Sequence, residues 1–249
     1  MSVVIDLTGR IALVTGASQG IGAEIAMRLH EAGASVRLNH PGSTSTESDA
    51  RTLADELNRR RSGSASVLAA DVSDPQAVEA MMQAAAPLDI LVNNAGILRD
   101  RTVAKMSLDE WDAVIGVNLS GVFHCCKWGL GVLRDGGAIV NLGSLSAHAG
   151  FIGQANYSAA KAGVQALTRV LSRECARRSI RVNAVAPGVI ETGMAATIPQ
   201  HVRDEMVKQI PWGRFGTPRE VADSVLFLCS DLSKYVDGHV LEVDGGWRG

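Results

Sequence analysis

Thr15-Gly16-Ala17-Ser18-Gln19-Gly20-Ile21-Gly22 decides how this chain is read. The stretch follows a short apolar run, Ile11 to Thr15, and leads into a helical pattern over about 20–32. A strand that passes through a glycine turn into a helix offers free backbone N–H groups to an anion. Gly16, Gly20 and Gly22 suit the tight turning and close backbone approach that a pyrophosphate requires. The spacing is G-x-x-x-G-x-G, not the G-x-G-x-x-G of the general dinucleotide fingerprint. A glycine triplet by itself marks only a turn. Its place at the head of an alternating chain makes it a candidate cofactor site, with Ser18, Gln19 and Ile21 between the glycines.

The alternation continues to the C-terminus. Ser35 to Asn39, Ala65 to Ala69, Ile90 to Asn93, Ala138 to Leu142, Arg181 to Val185 and Val240 to Val243 are near-continuously apolar. Parallel strands buried on both faces read this way. Helical patterns fall at about 46–61, 75–85, 108–116, 119–134, 155–177 and 219–230. Right-handed crossovers then predict an α/β fold: a doubly wound, parallel, seven-stranded, Rossmann-like sheet with helices on both faces. The Gly/Ser/Thr-rich stretch 42–48 is too short for an interdomain linker, so one domain is expected over 1–249. The segment 189–215 carries Gly193, Pro199, Pro211 and Gly213 among apolar residues and suits a substrate flap.

Composition narrows the function. The 249 residues are 46% apolar and 20% charged, enough for a large core, and the net charge of -2 gives no reason to expect nucleic acid. Arg59-Arg60-Arg61 reads as the cation-favoured end of a helix. Asp6 and Arg10 interrupt any signal-like run, and no apolar stretch reaches the roughly 18 residues of a membrane span. Cys125, Cys126, Cys175 and Cys229 match neither a zinc pattern nor a disulfide framework. Buried reduced thiols, a cytoplasmic setting and no metal are the expectation.

A second constellation lies further on. Tyr157 and Lys161 are one helical turn apart, on one face. A free phenol has a pKa of about 10, and a nearby ammonium favours its phenolate, so the pair reads as a proton donor with its tuning charge. Ser144 follows the apolar run Ala138 to Leu142, at the carboxyl edge where α/β sheets bind ligands. Its hydroxyl is placed to hold a substrate oxygen. Asn118, in Gly116-Val117-Asn118-Leu119, lies in the central helical stretch.

With these motifs in this order, the chain resembles the short-chain dehydrogenase/reductase family in its compact single-domain form. The resemblance runs from about residue 8 to 247. It implies that Tyr157 is the general acid/base and that Lys161 lowers its pKa and binds the nicotinamide ribose. Ser144 then holds the substrate oxygen, and Asn118 anchors a water relay to Lys161. It further implies that Asn93-Asn94-Ala95-Gly96 supports the cofactor and that Asp71-Val72 contacts the adenine. Pro187-Gly188, followed by Ile190 and Thr192, matches the segment that holds the nicotinamide carboxamide.

The choice of dinucleotide turns on the end of the second strand, Asn39-His40-Pro41-Gly42-Ser43-Thr44. An NAD site usually places a carboxylate there. Asn39 occupies that place and the first acid, Glu47, comes later, so NADP(H) is favoured and NAD(H) stays possible. Arg37 and His40 are candidate charges for a 2′-phosphate, or an ordinary strand-edge arginine and loop histidine. Gln19 stands where NADP-binding members often carry a basic residue.

Whole-length resemblance is closest to 3-oxoacyl-acyl-carrier-protein reductases and acetoacetyl-CoA reductases. Arg99-Asp100, Gly153-Gln154-Ala155-Asn156-Tyr157, Arg214-Phe215-Gly216-Thr217-Pro218 and Val243-Asp244-Gly245-Gly246 carry it. A ketone on an acyl thioester is the expected substrate. Of two basic residues that such enzymes turn to an acidic carrier, one is matched by Arg178 and the other falls at uncharged Gly131. His148 stands beside the expected pocket, as a substrate contact or a solvated residue. Trp212 and Met194 line an apolar pocket or pack the flap down. Two other readings are an NAD-dependent alcohol, sugar or polyol dehydrogenase and, more remotely, a catalytically silent dinucleotide sensor. The resemblance implies a homotetramer joined through the helices near 108–134 and 155–177 and through the C-terminal strand. The apolar ending from Val240 to Trp247 suits such a contact or an ordinary core.

Overall fold

Seven parallel strands lie in the order β3-β2-β1-β4-β5-β6-β7. They are β1 Ile11–Val14, β2 Ser35–His40, β3 Ala65–Ala69, β4 Leu88–Asn93, β5 Leu133–Leu142, β6 Arg181–Pro187 and β7 Val240–Val243. The computed structural model describes residues 4–193, 195 and 198–247. Met194 lies outside the described residues.

Successive strand side chains point to opposite faces, so each strand feeds two cores. Val14, Leu38, Val92, Val140 and Val185 face one layer, built with α1 Gly20–Glu31 and α9 Pro218–Cys229. Leu13, Leu91, Ile139 and Val182 face the other, built with α3 Pro75–Ala85, α5 Gly121–Val132 and α7 Ala155–Cys175. This two-sided burial explains the near-absence of polar alternation in the strands. The order reverses between β1 and β4, whose registers Val14↔Leu38 and Val14↔Val92 place both carboxyl ends on one edge. That switch point is where the ligand crevice of such a sheet lies.

Helix entries follow local rules. Asp74 accepts from the Gln76 and Ala77 N–H groups, with Pro75 at the first helical position. Thr217 and Glu220 close a capping box ahead of Pro218. Ser107 and Glu110 do the same for α4 Leu108–Ile115. α2 spans Thr44–Arg60.

Three stretches depart from expectation. The helical run expected over 119–134 is interrupted at its start. Residues Gly116–Ser120 form a π-helical turn, and the helix then ends at Val132. β5 begins earlier than expected because Leu133 already pairs with Leu88. The register then slips at Arg134-Asp135-Gly136-Gly137 before Ile90↔Ala138 resumes. Two helices were not expected: the single turn α6 Ser146–Ala149, closed by Gly150 at φ 68°, and α8 Gln200–Gln209 inside the flap. The apolar residues of α8 are few, and Met206 and Val207 pack on a third cluster of Leu145, Ile210, Phe215 and Trp247. The flap is thereby seated on the loop that carries Ser144. Trp247 is 4% exposed, so the apolar C-terminal stretch ends in core.

Candidate active site

The glycine turn is held from three sides. Thr15 Oγ1 accepts from the Asn94 and Ala95 N–H groups at 3.0 and 3.1 Å. Asn94 Nδ2 donates to the Thr15 and Gly16 carbonyls at 2.9 and 3.0 Å. Gly16 N donates to Asn39 Oδ1 at 3.2 Å, and Ala17 N to the Asn39 carbonyl at 2.8 Å. A Cβ on Gly22 would lie 2.3 Å from the Gly16 carbonyl oxygen and 2.4 Å from Asn94 Nδ2. Gly16, at φ +62°, presses on Ala95, with 2.9 Å between an added Cβ and the Ala95 Cα. The turn is therefore folded onto the end of β4 too closely for any other residue.

These contacts separate the expected cofactor residues into supports and lining. Asn39 is a support. It is buried, and its Nδ2 faces the His40, Leu68 and Ala70 carbonyls, so neither polar end of its side chain is left for a ribose. Asn94 is likewise spent on the turn. The α1 entry is open: Gln19 makes no side-chain cap bond, and the first turn carries no acid. Free N–H groups without a competing carboxylate fit a pyrophosphate. Beside Gly20 the nearest contact to an added Cβ is Thr192 Cγ2 at 3.9 Å, so the segment after β6 arches over the turn. Ser18 is half-buried and Ile21 packs partly on the core.

The remaining expected contacts follow the carboxyl edge. Exposed Asp71 accepts from Ser73 N and Oγ, while Val72 is buried against Gly121. Gly96 sits over Asn118 Oδ1. Pro187 accepts from Leu145 N at 3.0 Å, Gly188 N donates to Val243 at 3.0 Å, and buried Ile190 bridges to Gly216. His40 is buried and its Nδ1 accepts from Gly42 N at 3.1 Å, so that nitrogen is engaged by the backbone. Glu47, in α2, is paired with Arg51 at 2.6 Å.

The proposed proton-transfer group assembles from three elements. α7 presents Tyr157 and Lys161, and Lys161 Nζ lies 5.6 Å from the Tyr157 ring centre. The ammonium donates to the Leu142 carbonyl at 2.6 Å. Ser144, just beyond β5, is buried, with its hydroxyl beside the Tyr157 phenol. The π-helical turn aims Asn118 at the chain leaving β4, where Oδ1 accepts from Ile97 N and Nδ2 donates to the Ile97 carbonyl, both at 2.8 Å.

The electrostatics differ from the sequence expectation. Burial pushes the Tyr157 phenol up to about 12, with the Ser144 hydroxyl opposing and the Asp100 carboxylate adding to the rise. Burial also pulls the Lys161 ammonium down to about 8. Tyr157 thus moves opposite to the lowering expected from Lys161, because desolvation favours the neutral form of both groups and the ammonium is turned to Leu142.

Sequence reading missed several participants. In the sequence Thr15 reads only as part of the turn, yet its hydroxyl ties that turn to the end of β4. Asn156, in the Gln154-Ala155-Asn156-Tyr157 run, accepts from Tyr157 N and donates to the Arg99 and Glu110 carbonyls. Ser146 and Gln154 reach Ser144 through hydrogen bonds that no spacing announces. Beside them lies a cleft of about 390 Å³ with Arg101, Val103, Phe151, Gln154 and Ser158 in its wall.

Other expected residues are engaged elsewhere. Arg178 donates to Asp135 and to the Leu130 and Leu133 carbonyls, bracing the end of α5. His148 lies 3.6 Å from Glu242, half-exposed. Trp212 is 69% exposed under Arg214, and the base of its side chain lies against Gly245. The four cysteines are buried, and burial raises all four thiols. Among the described residues no metal-binding cluster is present and no helix is long and apolar enough to cross a membrane.

A family model described as enoyl-(acyl carrier protein) reductase matches residues 16–248. The chain belongs to the short-chain dehydrogenase/reductase family. Within it, the 3-oxoacyl-acyl-carrier-protein reductase of Aquifex aeolicus strain VF5 is 41% identical over 244 residues, covering 97% of this chain and 98% of its own. Its counterpart from Staphylococcus aureus strain Mu50 is 44% identical over 241 residues, covering 94% and 96%. A blue fluorescent protein from a metagenomic library, solved in complex with NADPH, superposes with a TM-score of 0.92 at 34% identity over 98% of this chain and all of that one. A short-chain dehydrogenase/reductase of this form is an oxidoreductase, and the parallel seven-stranded sheet is the fold expected for it.

Proposed function

We propose that this protein is a single-domain, cytoplasmic, NADP(H)-dependent reductase of 3-oxoacyl thioesters. The observation that carries the reading is the convergence of Ser144, Tyr157 and Lys161 beside an uncapped helix entry, in a chain similar over its full length to 3-oxoacyl reductases.

The nicotinamide supplies and accepts hydride when bound. The chain's own residues do the rest. The free N–H groups at the head of α1 take the pyrophosphate, and Lys161 takes the nicotinamide ribose. Ser144 and Tyr157 hold the substrate oxygen between two hydroxyls. As that oxygen gains negative charge, Tyr157 releases its proton to it. The Lys161 cation then stabilises the phenolate left behind. Asn118, with both ends of its amide on Ile97, fixes the chain that borders the site. Hydride addition to a carbonyl carbon puts the developing charge on the oxygen that this hydroxyl pair holds. A 3-oxo carbonyl fits it.

NADP(H) is favoured because no carboxylate closes the end of β2 and Glu47 is already held by Arg51. The exposed Leu108, Phe123 and Val170, on α4, α5 and α7, support a homotetramer with its contacts on those helices. The deciding experiment follows NADPH and NADH oxidation with acetoacetyl-CoA, crotonyl-CoA and a panel of ketones and sugars. Oxidation of NADPH with acetoacetyl-CoA is expected. Silence on that thioester with turnover of a sugar would replace the substrate assignment.

A further inference from the structure

Ser144 is the near end of a hydrogen-bond chain that runs away from the reacting centre. Its Oγ lies 3.0 Å from Ser146 Oγ and accepts from Ser146 N at 3.1 Å. Ser146 Oγ meets Gln154 Oε1 at 3.0 Å, and Gln154 Nε2 meets Asp100 Oδ2 at 3.0 Å. Ser144 and Ser146 are both buried.

The direction of every proton in this chain is set by its far end. An ionised carboxylate only accepts, so Asp100 requires the NH₂ end of the Gln154 amide. The amide oxygen is then turned to Ser146 and also only accepts. Ser146 must spend its single O–H on that oxygen. Toward Ser144 it has lone pairs alone, so the Ser144 O–H donates to Ser146. Ser144 is left with a lone pair for the substrate oxygen.

We propose that Asp100, Gln154 and Ser146 are positioning residues that make Ser144 meet the substrate oxygen first as an acceptor. An alcohol donates its hydroxyl proton to Ser144 with the chain undisturbed. A ketone oxygen has no proton to give. It is engaged only when the Ser144 O–H swings off Ser146, leaving Ser146 Oγ without that donor. The chain thus strengthens binding of the alcohol relative to the ketone. This inference rests on the carbonyl-reductase reading of Ser144 and Tyr157, though not on the thioester.

The test compares KM for a ketone with NADPH and KM for the matching alcohol with NADP+, in wild type, Ser146→Ala, Ser146→Thr and Asp100→Ala. Acetoacetyl-CoA and 3-hydroxybutyryl-CoA are the first pair. Ser146→Ala removes the acceptor, and Asp100→Ala frees the amide to turn over. Both should raise the ratio of alcohol KM to ketone KM about fivefold, the size of one neutral hydrogen bond. Ser146→Thr keeps the hydroxyl and should keep the wild-type ratio. An unchanged ratio in Ser146→Ala and Asp100→Ala overturns the proposal, even where kcat or thermal stability falls. A threonine variant that behaves like the alanine variant also overturns it. Exposed Asp100 provides the readout if Ser146→Ala fails to fold. If the thioesters are inert and another ketone–alcohol pair is turned over, the thioester assignment fails and the ratio is read on that pair. Inactivity of wild type with every pair overturns both.

Discussion

Lys161 is buried and Tyr157 partly so, and their chemistry is dominated by desolvation rather than by each other. Tyr157→Phe removes the proton that the reaction is proposed to use while leaving the ring in place. Turnover should fall by about 10²–10⁴-fold, with NADPH affinity by fluorescence titration within twofold of wild type. Lys161 carries a second consequence. Its folded pKa of about 8 lies below the ordinary lysine value, so the unfolded chain holds the proton more tightly. The ammonium therefore destabilises the fold fully below about pH 8, and this penalty is lost between about 8 and 10.5. Tyr157 and the buried thiols are present in both proteins and cancel in a comparison. Lys161→Met should be stabilising near pH 7, and its advantage over wild type in urea midpoints should shrink through that window. An advantage independent of pH would show that Lys161 is not desolvated. Gly22 belongs to this scale too. Its α-hydrogen meets the Gly16 carbonyl, so Gly22→Ala should weaken NADPH binding and lower stability by about 1–3 kcal/mol.

At the scale of elements, the sequence was legible wherever a local rule applied. All seven strands and seven of the helices were anticipated to within a few residues at most ends, because buried parallel strands and capped amphipathic helices each leave a periodic trace. The failures have causes. The π-helical turn at Asn118 needs the Ile97 backbone opposite it, and that partner is 21 residues away. α8 holds few apolar residues and is stabilised by packing on Phe215 and Trp247. The slip in β5 depends on its pairing with β4. Caps, by contrast, are local. Asp74→Ala strips two N–H groups of their acceptor and should cost about 1 kcal/mol, lowering Tm by about 2–4 °C with no change in KM.

At the scale of the molecule, the cofactor crevice, the Ser144 loop and the flap share one structural fate. Leu145 joins the cluster of Ile210, Phe215 and Trp247, so the flap bears directly on the loop that carries Ser144. Ligand binding at this junction should stabilise the whole fold by mass action. Saturating NADPH should raise Tm by several degrees and more than NADH at equal concentration. An equal shift from the two would remove the case for NADP(H). Light scattering should give four chains, since the exposed apolar residues of α4, α5 and α7 otherwise face water.

The chain itself determined the fold class, the glycine turn and the pairing of Tyr157 with Lys161, because each rests on periodicity or on neighbours within one helical turn. Tertiary structure decided what those residues do electrically and which others join them. Asn39 became a brace instead of a ribose contact because β3 and the glycine turn surround it. Arg178 was drawn to the carbonyls ending α5. Tyr157 rose instead of falling because burial is a property of the assembled site. The chain from Asp100 to Ser144 joins residues up to 54 positions apart. Spacing in a sequence reports such contacts only when the backbone between them is regular, and here a whole crossover intervenes.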